Sequence, residues 1–279
     1  MPVEQRSQDI RERIKEIAAG TPGVFGVAVK HLGSGEEIYL NAEEPFPAAS
    51  VIKVPIMAEV FRQAEEGKFR LDQRLKLTAE DQVGGSGILQ ALSPGLELPI
   101  LDLVTLMIIV SDNTATNMLL DLVGLDQVNS YMTALGLKNT VVYNKLMVIP
   151  AERKGMNTVT PWDMTRLLEL MALGKVVSHR ACQRMIGIMK KQQYNDLIPA
   201  LFPANDGKIG SLPRWQVAHK TGFISGVRND VGIVFLPGQE YVISILSKEL
   251  ADDRQGIRTV AEISRAVYDY FTAGKAGAA

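Results

Sequence analysis

The stretch VFGVAVKHLGSGEEIYLN, residues 24–41, places two runs rich in β-branched and aromatic residues on either side of a glycine break. Residues 24–31 and 36–41 read as strands and Gly33-Ser34-Gly35 as the turn between them, which makes a β-hairpin. A lone hairpin is marginal in water, so its apolar face needs further strands and a covering layer. Upstream, residues 4–19 carry Ile10, Ile14 and Ile17 at helical spacing. The missing strands come from the other end of the chain, at 215–223, 229–236 and 240–248, with turn signals at Ser225-Gly226 and Pro237-Gly238 and a helix over about 253–271.

Between these ends the apolar period is helical, over 51–66, 100–110, 114–123, 126–135, 161–173 and 179–191. The expected fold is therefore α/β (α+β): a five-stranded antiparallel sheet built from both termini and flanked by helices, with an all-helical lobe inserted. The expected division is 1–48 with 207–279 as the α/β lobe and 49–206 as the helical lobe, forming one functional unit. The cleft between the lobes is where a ligand site belongs.

Composition bounds the function. A chain of 279 residues, 46% hydrophobic and 22% charged, buries a large core, and a net charge of −1 offers no basic stripe for nucleic acid. Cys182 is the one cysteine, so no internal disulfide forms, and no Cys/His spacing suggests a metal. No cofactor is expected. His31, His179 and His219 stand apart in sequence and none is assigned a catalytic part. The charged, helical N-terminus lacks the apolar core of a signal peptide and no run of 18 apolar residues occurs, so the chain as written reads as cytoplasmic, or as one whose export signal was removed. The expected partner is a small molecule or a peptide; oligomeric state is left open.

Residues 48–57, AASVIKVPIM, bury a charge among apolar neighbours: Lys53 stands three residues after Ser50 in a run of Val51, Ile52, Val54, Ile56 and Met57. On a helix beginning near Ser50 the two side chains lie one turn apart and touch. A desolvated lysine loses basicity and so becomes able to take a proton from a neighbouring hydroxyl, which activates the serine as a nucleophile. The helix start adds backbone N–H groups near the serine oxygen, and Pro55 implies an irregular or kinked first turn. A Ser-x-x-Lys match arises about once by chance in a chain this long, so the pair needs support from elsewhere.

That support is Ser111-Asp112-Asn113 and Lys220-Thr221-Gly222, which follow in that order. With SVIK at 50–53, these motifs resemble those of the serine acyl-enzyme superfamily of class A β-lactamases and penicillin-binding DD-peptidases. SDNTATNMLLDLVG at 111–124 and TVTP at 158–161 extend the resemblance, which covers nearly the whole chain. It implies the same two-lobed architecture. It also implies Ser50 as the nucleophile, Lys53 as its proton acceptor, and Ser111, held between Lys53 and Lys220, as the relay to the leaving nitrogen. Asn113 would bind the acylamide arm, Lys220 and Thr221 the substrate carboxylate, and Gly222 would let backbone approach. The N–H groups of Ser50 and Phe223 would form an oxyanion hole. Arg228 either reaches back to the same carboxylate or is a solvated hairpin arginine.

The ω-loop departs from the class A pattern. Those enzymes hydrolyse the ester with a glutamate in a Glu-x-x-Leu-Asn setting, and this chain has VVYNKLMVIPAERKGMN at 141–157. Glu152 is the nearest carboxylate and falls too late to match; Tyr143, Asn144 and Lys145 fall nearer the place and are not equivalent. The departure implies slow deacylation of β-lactams, with a DD-peptidase or a penicillin-binding receptor as the alternatives. VGGSG at 83–87 reads as a connecting turn or as a wall of the cleft through Ser86.

Overall fold

The structure, a computed structural model, describes residues 3–147, 155–205 and 213–273. In chain order these form α1 (Val3–Ala19), β1 (Val24–His31), β2 (Glu37–Leu40), β3 (Phe46–Pro47), a 3₁₀ turn (Ala49–Ile52), α2 (Lys53–Glu65) and β4 (Arg74–Lys76). After a second 3₁₀ turn (Leu89–Ala91) come β5 (Glu97–Pro99), α3 (Ile100–Ile109), α4 (Asn113–Val123), α5 (Leu125–Ala134), β6 (Thr158–Val159), α6 (Pro161–Ala172) and α7 (His179–Met189). The chain closes with β7 (Gln216–Ile224), β8 (Val227–Phe235), β9 (Tyr241–Lys248) and α8 (Asp253–Thr272). Among the described residues no helix is long and apolar enough to cross a membrane.

The opening hairpin pairs as expected, Val27 opposite Leu40 and Lys30 opposite Glu37, and β1 continues onto β9 from Val24–Lys248 to His31–Tyr241. The five-stranded antiparallel sheet runs β2-β1-β9-β8-β7, so N-terminal strands join C-terminal ones at its centre and β7 is an edge. Side-chain alternation gives the sheet two buried faces. One, through Val27, Val217, Ile243 and Ile245, packs with Ile10 and Ile14 of α1 and Val260, Ile263 and Val267 of α8. The other, through Ala218, Val231, Ile233 and Val242, belongs to a core continuous with the inserted helices.

Two details differ from the expected helical insertion. It carries two short ladders, β3 with β6 and β4 with β5, runs of two or three residues too short to show a period of two. And α6 lies on the sheet itself: Thr165 donates to the Ala28 carbonyl at 3.0 Å and its hydroxyl lies 2.9 Å from Ser244 Oγ, so this helix of the insertion covers one sheet face. The helix start is irregular, as Pro55 implied: the 3₁₀ turn Ala49–Ile52 leads into α2, with Pro55 in its first turn.

Candidate active site

The nucleophile candidate sits on a strained turn. Ala49 has φ +44°, an unfavourable region for a residue with a Cβ, and the 3₁₀ turn that follows presents Ser50 directly ahead of α2. Asn229 of β8, fully buried, anchors the turn by donating to the Pro47 carbonyl at 2.8 Å while its Oδ1 accepts the Ser247 N–H at 2.9 Å. The edge strand β7 crosses the turn at Gly222. A Cβ there would stand 3.1 Å from Ser50 N, 3.2 Å from the Ala48 oxygen and 3.2 Å from Ala49 Cβ. Gly222→Val therefore displaces Ser50 against β7 and is expected to slow acylation about 10²-fold with folding retained, a result read from adduct formation beside a melting curve.

Lys53 opens α2 with no solvent exposure. Its Nζ lies 3.0 Å from Ser50 Oγ, 2.7 Å from the Ser111 carbonyl, 3.0 Å from Ser111 Oγ and 2.9 Å from Asn113 Oδ1. Four oxygens compete for at most three N–H groups, whereas a neutral amine has a lone pair with which to accept the Ser50 proton. Burial, then the charge of Lys220, hold Lys53 well below the usual lysine range, with Asp112 opposing. Lys220, also fully buried, donates to Ser111 Oγ at 3.2 Å and to the Thr221 carbonyl at 2.7 Å. Burial brings it down to about 7 against the pull of Asp230. Ser111 Oγ thus bridges the two amines.

Ser111 takes φ +57°, which turns both its carbonyl and its hydroxyl onto Lys53. Asp112 holds that conformation as the N-cap of α4, accepting from Ala115 N at 2.9 Å and from Ile88 and Leu89 N–H at 2.7 and 2.9 Å. Residues 83–87 therefore form a wall of the cleft and not a free turn. A Cβ on Gly85 would fall 2.6 Å from Asn113 Nδ2, and Asn113 itself donates to the Gly84 carbonyl at 3.0 Å. The second Nδ2 hydrogen remains for a ligand.

The two-residue turn Ser225-Gly226 makes Ile224–Val227 the closing pair of the β7–β8 hairpin. Antiparallel pairs alternate, so Phe223–Arg228 is a pair whose N–H groups point away from each other, and Arg228 N accordingly donates to Ser247 Oγ of β9 at 2.7 Å. The Phe223 N–H then points off the sheet edge. Phe223, Ser50, Ser86 and Asn113 line one cleft of about 450 Å³. Thr221 is buried on the same edge strand.

Arg228 departs from the expectation. Its guanidinium pairs with Asp253 at 2.7 Å, donates to the Ile224 and Val227 carbonyls at 2.8 and 2.6 Å, and lies 5.3 Å from the Phe223 ring centroid. The start of α8 brings that carboxylate to the end of the hairpin, so the side chain is neither solvated nor reaching into the cleft. Glu152 lies outside the described residues. Of the three ω-loop positions considered, Asn144 and Lys145 line the cleft, and Lys145 is ion-paired with Asp121. The position that α4 fixes is Leu146: Asn117 accepts its N–H and donates to its carbonyl, both at 2.8 Å, one helical turn beyond Asn113. SDNTATN held the signal, since Asn117 repeats Asn113 at i+4, but its partner is 29 residues away. His219, assigned no catalytic part, is buried and pairs with Asp230 at 3.0 Å.

The model of the β-lactamase enzyme family matches residues 9–271 of the chain. The β-lactamase L2 of Stenotrophomonas maltophilia is 28% identical over 217 residues, covering 76% of this chain and 69% of that one. Among solved structures, a β-lactamase from Sphaerobacter thermophilus superposes with TM-score 0.86 at 34% identity, over 94% of this chain and 96% of the other. A leucine-to-glutamate variant of PBP-A, solved as an acyl-enzyme complex with penicillin G, gives TM-score 0.85 at 32% identity over 95% and 96%.

Proposed function

The chain belongs to the β-lactamase enzyme family and is a class A β-lactamase-like serine hydrolase, and from that premise we propose that Ser50 is acylated by β-lactams and the ester is released slowly. The contact of Ser50 Oγ with a buried, weakly basic Lys53 at 3.0 Å carries the first half. Lys53 takes the hydroxyl proton as Ser50 attacks the lactam carbonyl. The tetrahedral oxyanion is received by the N–H groups of Ser50 and Phe223, and Ser111 passes a proton to the departing nitrogen between the two lysines. Asn113 holds the acylamide arm, while Lys220 and Thr221 hold the carboxylate.

The second half rests on Leu146. Where a hydrolytic class A enzyme has a glutamate to activate water, the backbone clamped by Asn117 offers an alkyl group to the cleft. An ester without a neighbouring base waits for unassisted water. The 32% identity to PBP-A, a variant of which was solved acylated by penicillin G, favours the acylation step. A D-Ala-D-Ala peptidase shares the acylation step and is the second reading.

Wild-type protein mixed with benzylpenicillin is expected to gain one penicillin mass, all of it on Ser50, and to lose it over minutes to hours. Intact-mass spectra taken against time check both points. Full turnover within seconds would contradict the slow-release reading, no adduct would contradict acylation, and rapid hydrolysis of a D-Ala-D-Ala peptide would favour the peptidase.

A further inference from the structure

The cleft at Ser50 has an apolar rim to which the chemistry of acyl transfer gives no part. Met147, Met156 and Ile224 line it and are all exposed. Large apolar side chains left in water around one opening, with polar groups such as Asn113 inside it, mark a surface kept for a ligand. Met147 is the one that crosses the cleft. Its neighbour Leu146 is held at both N–H and carbonyl by Asn117, and Met147 itself takes φ +55°, a conformation unfavourable to a residue with a Cβ. From there the side chain lies against the wall formed by residues 83–87: a Cβ on Gly85 would stand 3.4 Å from Met147 Cγ and 3.8 Å from its Sδ. The same Cβ would stand 2.6 Å from Asn113 Nδ2. The thioether and the amide that awaits a ligand thus meet at one glycine, whose φ of +92° and lack of a side chain let both approach.

We propose that Met147 is a specificity-determining residue, admitting substrates whose acylamide arm is slender and apolar beside the amide and disfavouring arms that are crowded there. This rests on the acyl-transfer reading above and goes beyond it. To take the free Nδ2 hydrogen of Asn113, the arm's carbonyl must enter where Met147 faces Gly85, so the next atom of the arm meets the thioether. A methylene carrying an aromatic ring passes with the ring free to turn, and sulfur is an attractive neighbour for its edge. Met156 and Ile224 extend the apolar surface that the ring then covers. An aryl group attached directly to the carbonyl and substituted at both ortho positions has no narrow side to present, and it has to push the methionine away.

The wall behind Gly85 does not yield in its place. The Ser86 carbonyl accepts the Asn113 N–H at 3.0 Å, and Asp112 holds the Ile88 and Leu89 N–H groups, so the loop is tied to the start of α4 on both sides of Gly87. With the backbone beneath Met147 also fixed through Leu146, the discrimination falls on a single flexible side chain.

The test compares the rates at which benzylpenicillin, with its phenylacetyl arm, and a penicillin with a 2,6-dimethoxybenzoyl arm add to the wild type, Met147→Ala and Met147→Leu, read by intact mass. Wild type should prefer the phenylacetyl arm. Met147→Ala should lower that preference about tenfold by accelerating the crowded substrate, and Met147→Leu, which keeps the bulk, should retain it. A methionine that only supports its loop would, on truncation, slow both substrates alike, and an unmoved ratio overturns the proposal. A second readout does not depend on acylation. In Ser50→Ala protein labelled at its methionine methyl groups, saturating benzylpenicillin should shift the Met147 resonance, identified by its loss in the added Met147→Ala change. Saturating 6-aminopenicillanic acid, which has no arm, should not. Equal shifts with both, or none with either, refute the role of Met147, whereas a wild type that forms no adduct while the Met147 signal responds to the arm would count against the acyl-transfer reading alone.

Discussion

Lys53→Met protein acquires the penicillin adduct about 10³-fold more slowly than wild type, and Ser50→Ala protein never acquires it. The first figure is the usual loss on deleting a positioned proton acceptor. Without Lys53 the hydroxyl must give its proton to water or to Ser111, whose Oγ is held by the ammonium of Lys220. Methionine keeps the length and apolar packing of the side chain within a fully buried helix start, so the loss reports on the amine and not on a collapsed cavity. The pH profile adds an independent check. Lys53 must be neutral to accept a proton and lies far below an ordinary lysine, so wild-type acylation rises at low pH as this group deprotonates. Lys220 must be charged to bind carboxylate, so efficiency falls as pH rises through about 7. In Lys53→Met the acid limb disappears and the alkaline limb stays in place, because Lys53 is already neutral where Lys220 titrates. Stopped-flow acylation across pH measures both limbs. A Lys53→Met rate within a factor of a few of wild type would remove Lys53 from the chemistry.

What the sequence showed and what it hid divide along physical lines. The hairpin at 24–41 and the three C-terminal strands were legible because each is long enough to display a period and is bounded by glycine or proline turns. The Ser50, Lys53, Ser111 and Lys220 cluster was legible because its members sit in short motifs, and the structure links them in one chain of hydrogen bonds, Ser50 to Lys53, Lys53 to Ser111 and Ser111 to Lys220. The two small ladders were not legible, being shorter than one alternation can reveal. Nor were partnerships decided by tertiary packing. Arg228 was weighed for its reach across a cleft, but Asp253 at the head of α8 takes its guanidinium. His219 and Asp230 are 11 residues apart on neighbouring strands, and only the register of β7 on β8 puts them together. The hold of Asn117 on Leu146 was hidden as well, because counting from TVTP takes no account of hydrogen bonds to a helix 29 residues away.

That clamp defines the second large effect. Leu146→Glu is expected to shorten the lifetime of the penicillin adduct about 10²- to 10³-fold while leaving acylation within a few-fold. The backbone at this position is fixed by two hydrogen bonds of 2.8 Å to a buried asparagine, so a substituted side chain starts from the same place as leucine. It shares the cleft with Ser50 and Asn113, where a carboxylate has room for a water beside the ester. An ionised glutamate there takes a proton from that water as it attacks the ester, a step for which the described residues lining the cleft supply no carboxylate. Leucine is half-buried and apolar, so replacing it removes some packing, and a modest fall in melting temperature accompanies the gain. Leu146→Gln separates the two effects, because it matches glutamate in size and polarity and lacks the basic oxygen. Only the glutamate variant should turn over. If glutamine shortens the lifetime equally, water access and not base catalysis limits release; if neither does, the cleft position of residue 146 is not where deacylation is decided.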